Sequence, residues 1–162
     1  MSKALLLLLP FISLACNAEN FVLTKANDDL NRNLAAFNEQ DDQCRKSAVV
    51  LPSDTFTGIQ ADKTQLKAAL AYFYFKALHE CSEAAVKEYL LSASVMAALT
   101  EPERAQSIHE SNQLIIDARL HAIKAEALYQ KLDEKQRQSL QQIEALRRPF
   151  KLNESAKALG IE

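Results

Sequence analysis

The chain has 162 residues and a formal charge of −2, with 48% hydrophobic and 25% charged residues. That balance is ordinary for a globular chain and argues against disorder, while the interspersed charges leave no basic patch to bind nucleic acid. Two glycines and four prolines are too few for a phosphate-cradling loop, a dinucleotide fingerprint or an all-β domain, and the abundant Ala, Leu, Gln, Glu and Lys favour helices.

Lys3 precedes a largely apolar run, Ala4 to Ala15. A membrane-spanning helix takes about 20 apolar residues, so this run reads as the core of a secretory signal peptide over residues 1–15. Removing it takes away only Lys3 among the charges. A mature chain of about 145 residues can bury roughly two-thirds of its unfolded surface, enough for a real core.

The segment Ser13-Leu14-Ala15-Cys16 resembles the lipobox of bacterial lipoproteins. Ala15 matches the small residue before the cysteine. Ser13 and Leu14 depart from the family's preference for Leu and then a small residue. The resemblance covers the signal alone. It implies cleavage before Cys16, lipidation of Cys16 and attachment to a membrane. Two or more acyl chains there would give a stable anchor. Asn17 stands where the sorting rule of such lipoproteins places Asp for inner-membrane retention, so the resemblance implies the outer membrane, facing the periplasm. Cleavage after Ala18 or Ala15 by the ordinary signal peptidase, giving a soluble periplasmic or secreted protein, is the alternative.

Residues 16–23 read as a lipid-anchored tether and 24–162 as the helical domain. A first helix is expected from about Asn27 to Lys46, where Leu23, Leu30, Phe37 and Cys44 recur every seven residues, with Leu34 on the same stripe. Val49 to Ile59 breaks the pattern with Pro52, Asp54 and Gly58. Its apolar Val49, Val50, Leu51, Phe56 and Ile59 suggest a loop packed down on the helices. Asp62 and Gln65 form a capping box for a second helix to about Glu80, with Leu66, Leu70, Phe73 and Ala77 on one face. Ser82 is expected to cap a third, Glu83 to Leu99.

Thr100 and Glu103 have the spacing of another capping box, with Pro102 tolerated in the first turn, for a long helix to about Lys131. Its seams are Ile108, Ile115, Ala122 and Tyr129, and Ala118, Ala125 and Leu132. Asp133 and Gln136 start a helix expected to run through Arg148, ended by Pro149. Asn153 opens a last turn that stops at Gly160. The starts LTEPER (99–104) and LDEKQR (132–137) read as shared capping chemistry. They also resemble the LTxxQ motif of Spy/CpxP-type periplasmic chaperones, although Glu103 replaces the Gln in the first and Asp133 the Thr in the second.

Three cysteines occur. With Cys16 acylated, Cys44 and Cys81 remain as a pair expected to oxidise outside the cytoplasm. The chain between them predicts a stabilisation of about 4 kcal/mol. Free or redox-active thiols are the alternative, but no C-x-x-C occurs. His79/Glu83 and Asp117/His121 stand four apart, yet a helix break near Ser82 would spoil the first pair. His109-Glu110 lacks the second histidine of a zinc-protease motif. These read as solvated surface pairs. No catalytic residue, metal site or cofactor is assigned. Arg147, Arg148, Lys124, Lys131 and Lys135 read as helix surface and as complements of helix dipoles.

Tyr72-Phe73-Tyr74-Phe75 points around most of a helix, because successive residues turn by about 100°. Either the helix is buried on most sides or some rings form a partner or ligand surface. The expected fold is all-α, a single bundle of about five helices with one disulfide. The expected function is a non-enzymatic envelope lipoprotein that binds a partner protein or assists assembly or secretion. In size, anchor, helicity and disulfide it is similar to the small helical pilotin lipoproteins. A periplasmic binder of an apolar small molecule or lipid, and a Spy/CpxP-like chaperone, are the alternatives.

Overall fold

The computed structural model describes the backbone of residues 9–162 and side chains from residue 20 onward. The signal peptide over 1–15 and lipidation at Cys16 fall outside the residues whose side chains are described. The described residues form five α-helices: α1 (Leu9–Lys46), α2 (Lys63–Ala98), α3 (Pro102–Tyr129), α4 (Glu134–Gln141) and α5 (Leu152–Ala158). A 3-10 turn, Glu144–Arg147, links the last two. Among the described residues the one strand-type pairing is an isolated bridge between Val49 and Phe150.

The middle helix organises the rest. α2 packs against α1 and α3 and also touches the 3-10 turn and α5. α1 runs antiparallel to its C-terminal half. Cys44 is bonded to Cys81, Phe37 stacks on Tyr89 at 5.5 Å, and Asn33 donates to Ser92 Oγ at 2.5 Å. In that register Ala26, which is buried, stands opposite the end of α2. α1 continues upstream of it with Phe21 and Val22 exposed. The first helix therefore begins well before the expected start at Asn27, because nothing in residues 17–26 breaks a helix.

The main core lies at the opposite end. Leu70 and Phe73 of α2 meet Tyr129 of α3, Leu51 and Phe56 of the loop, and Leu140, Leu146 and Phe150 downstream. Full burial of such side chains stabilises by about 1.5–3 kcal/mol each. The loop packs down as its apolar residues suggested, though only in part: Leu51 and Phe56 are buried, while Val49 and Val50 are exposed. It is tied by Lys151 N–H donating to Val49 C=O at 2.8 Å and by Leu51 N–H donating to Ser155 Oγ at 3.0 Å. Gly58 turns the chain back toward α2 with φ +83°, a conformation that favours glycine.

Four further boundaries differ from expectation. The second and third helices are one, α2. Ser82 donates its hydroxyl to the Leu78 carbonyl one turn back instead of capping a new helix, and its neighbours are good helix formers. At the start of α3, Glu101 is the N-cap with no side-chain cap bond, and Pro102 takes the first helical position. The Thr100 box is not made, since Pro102 at N1 moves the helix start one residue past Thr100. α4 ends at Gln141 rather than Arg148. The turn lets Leu140, Leu146 and Phe150 all enter the core, which a straight helix could not do, and Arg147 donates to the freed Gln141 carbonyl at 2.7 Å. Lys151, not Asn153, stands at the N-cap of α5, with no side-chain cap bond, and Gly160 follows the helix with φ +65°.

Candidate functional site

The aromatic run of α2 is the natural place to look for a site, and its four rings point four ways. Phe73 is 3% exposed and lies in the core. Tyr72 stacks on Tyr129 of α3, with centroids 4.1 Å apart and planes 6° from parallel, and it meets Phe73 edge-on. Tyr74 lies edge-on to Phe75 and to Phe150. Phe75 stacks on His121 of α3 at 6.4 Å. Tyr72, Tyr74 and Phe75 are half-buried. The rings join α2 to its neighbours on several sides rather than forming one surface. Burial raises the Tyr72 phenol above its ordinary pKa, with smaller contributions from Glu126 and Glu80, and burial raises the Tyr129 phenol as well.

Two open clefts flank this cluster. One, of about 300 Å³, lies between Tyr74, Leu78, Phe150 and Arg45; the other, of about 250 Å³, lies between Tyr72, Leu146, Lys76, Glu80 and Arg147. Small-molecule sites enclose most of their ligand in apolar walls. These clefts are small, open and edged by charge.

The cysteine pair is closed. Cys44 and Cys81 form a disulfide spanning 37 residues of sequence, and Cys44 is 1% exposed. Gln40 of α1 donates to the Cys81 carbonyl at 3.1 Å and fixes the same contact. The histidines do not converge on a common site. His121 faces Phe75, and His79 lies on α2 close enough to Glu83 to help lower that carboxyl, although the larger cause is the hydrogen bond from Lys87. Since α2 is continuous, His79 and Glu83 do share a face. Among the described residues no group of three His, Cys, Asp or Glu side chains is placed to hold a metal ion.

What the sequence reading did not single out is apolar surface. Leu91 and Val95 of α2 and Leu99 at its C-cap stand four apart, and Leu91 is 62% exposed. Ile116, Leu120 and Ile123 make a second exposed row on α3. Both rows carry helical spacing in the sequence. Spacing alone does not mark them as exposed, because a covered stripe on the same helix has the same period.

The fold and its surfaces define a disulfide-pinned all-α protein with an internal aromatic cluster and apolar rows left on its long helices. Comparison with known proteins adds no relative: no family model, curated protein or solved structure matches the chain.

Proposed function

We propose that the chain is a non-enzymatic envelope lipoprotein, anchored through Cys16 and binding another protein through the exposed face of α2. The observation that carries the binding half is the row Leu91, Val95 and Leu99, apolar and solvent-facing on a helix otherwise well packed. Exposed apolar residues in a contiguous row mark interaction surfaces more often than single ones do. The disulfide supports a compartment outside the cytoplasm. The apolar leader and Ala15-Cys16 support the anchor. A binder of an apolar small molecule would use the cleft over Tyr72, but Lys76, Glu80 and Arg147 on its edge do not suit such a ligand.

The test has two arms. Cys16→Ser is expected to move the protein from the membrane to the soluble fraction; unchanged retention counts against the anchor. Affinity capture of the anchored protein with and without Leu91→Asp/Val95→Asp checks the binding face. Loss of a specific co-purifying envelope protein supports the reading, and an unchanged capture profile rejects that face.

A further inference from the structure

We propose that a second copy of this chain docks on α3, the two α3 helices pairing antiparallel about a two-fold axis that passes between His121 and Ala122. The proposal stands on α3 alone and does not depend on the anchor or on the α2 face.

Apart from the exposed Leu114 and Leu128, α3 has two faces that bear on packing. One holds Asn112, Ala125 and Tyr129, which are buried. The other holds Ile116, Leu120, Ile123 and Ala127, at successive spacings of four, three and four. That is the a/d pattern of a helix–helix seam. Its large members are solvent-facing: Ile116 is 39% exposed, Leu120 48% and Ile123 49%. Ala127, also exposed, would permit close approach.

The charges beside this seam select the occupant. With Leu120 and Ala127 at a and Ile116 and Ile123 at d, the e positions on α3 are Glu110, Asp117 and Lys124. The g positions beside the central layers are Arg119 and Glu126. All five are exposed, and none forms an ion pair among the described residues. In an antiparallel pair, e faces e and g faces g. Setting Leu120 over Ile123 of the second copy brings Asp117 to Lys124 and Arg119 to Glu126. Each contact occurs twice by symmetry, and every one joins opposite charges.

Other registers fail on the same residues. Sliding one heptad in one direction sets Asp117 against Asp117 and Arg119 against Arg119. Sliding the other way sets Lys124 against Lys124 and Glu126 against Glu126. A parallel pair sets Arg119 against Lys124. Like charges across a seam select partner and orientation by excluding alternatives. A sequence that complements itself in one register fits a second copy better than an unrelated helix. The seam is short beside a standard interface of about 1,600 Å², so the dimer is expected to dissociate in the range of about 1–100 µM.

Sedimentation velocity on the full-length chain in non-ionic detergent tests this. The wild type is expected to shift from monomer to dimer below about 200 µM. Leu120→Glu is expected to weaken association by about 10-fold or more, and Lys124→Glu by about 5- to 10-fold. The swap Asp117→Lys/Lys124→Asp restores opposite charges and is expected to return association to within about 3-fold of wild type. These positions are exposed, and circular dichroism is expected to show unchanged helicity for each variant. A wild type that stays monomeric overturns the proposal, as does a dimer indifferent to Leu120→Glu. A Lys124→Glu defect that the swap does not rescue overturns the register.

Discussion

The side-chain amide of Gln136 donates to the side-chain oxygen of Gln65 at 3.3 Å, joining two capping boxes 71 residues apart. Each glutamine already reaches back to its own cap residue, Gln65 to the Asp62 N–H at 2.9 Å and Gln136 to the Asp133 N–H at 3.0 Å. Gln136 also donates to the Gln60 carbonyl at 2.6 Å. The starts of α2 and α4 are thus held as one unit above the main core.

Gln136→Ala therefore removes a cap partner, a tertiary bond to the loop and the link to Gln65. It is expected to destabilise by about 1–2 kcal/mol, more than a single capping contact on an isolated helix. Gln65→Ala is expected to cost about 1 kcal/mol. A double-mutant cycle read by urea denaturation is expected to show a coupling of about 0.5 kcal/mol or more. Strict additivity would mean that the two boxes are only neighbours.

These boxes show what was readable in advance. Asp62/Gln65 and Asp133/Gln136 form with both hydrogen bonds present, because a cap is written in residues three apart. Thr100/Glu103 has the same spelling and does not form, because Pro102 moves the start of α3 by one residue. The all-α class followed from composition, and the disulfide from the pair of cysteines left in a chain expected to be exported. The fusion of two expected helices into α2 was not readable. Ser82 caps or back-bonds with equal ease, and the packing of α1 and α3 against α2 decides the outcome. The aromatic run announced an unusual helix but not which neighbour each ring would meet. Exposed rows such as Ile116, Leu120 and Ile123 are spaced like core, and only the fold tells which stripe is covered.

The disulfide has a local consequence. Cys44 and Cys81 hold the C-terminal end of α1 against α2, along which it also packs through the Asn33 bonds to Ser92 Oγ and the Glu88 carbonyl, the Gln40 bond to the Cys81 carbonyl and the Phe37–Tyr89 stack. Cys44→Ser/Cys81→Ser is expected to lower stability by about 2–4 kcal/mol. Hydrogen exchange is expected to rise first in residues 27–46, and far less in the core around Leu70 and Leu140. Uniform loosening would mean that α1 is integral to the main core.

Ser155 is fully buried, and its hydroxyl accepts from the Leu51 N–H at 3.0 Å. Ser155→Ala leaves that buried donor without a partner, at an expected cost of about 1–3 kcal/mol. Ser155→Thr keeps the oxygen but adds a methyl to a filled site, and it is expected to cost about 1–3 kcal/mol by overpacking. Thermal unfolding of the two variants checks both. A neutral Ser155→Ala would mean that water reaches Leu51.

Stability is expected to fall in alkali. Tyr72, Tyr89 and Tyr129 are each shifted upward by burial. The unfolded phenols, near about 10, then lose protons before the folded ones. Above that pH the unfolded state binds fewer protons, so unfolding becomes more favourable as pH rises. The contribution is fully present below about pH 10 and is lost as pH climbs through the raised values. Urea midpoints at pH 8, 9, 10 and 11 are expected to be flat and then to decline, with a shallower decline in Tyr72→Phe. An identical slope in that variant would remove Tyr72 from the account.

The contrast between Leu70 and Leu91 separates packing from surface on one helix. Leu70 is 2% exposed in the main core, so Leu70→Ala is expected to cost about 2–5 kcal/mol. Leu91 meets solvent, so Leu91→Gln is expected to stay within about 0.5 kcal/mol of wild type. A denaturation midpoint that moves little while capture of a partner is lost would assign Leu91 to binding. A loss of several kcal/mol instead would mean that Leu91 is covered in the native protein, and the α2 face would no longer be free for a partner.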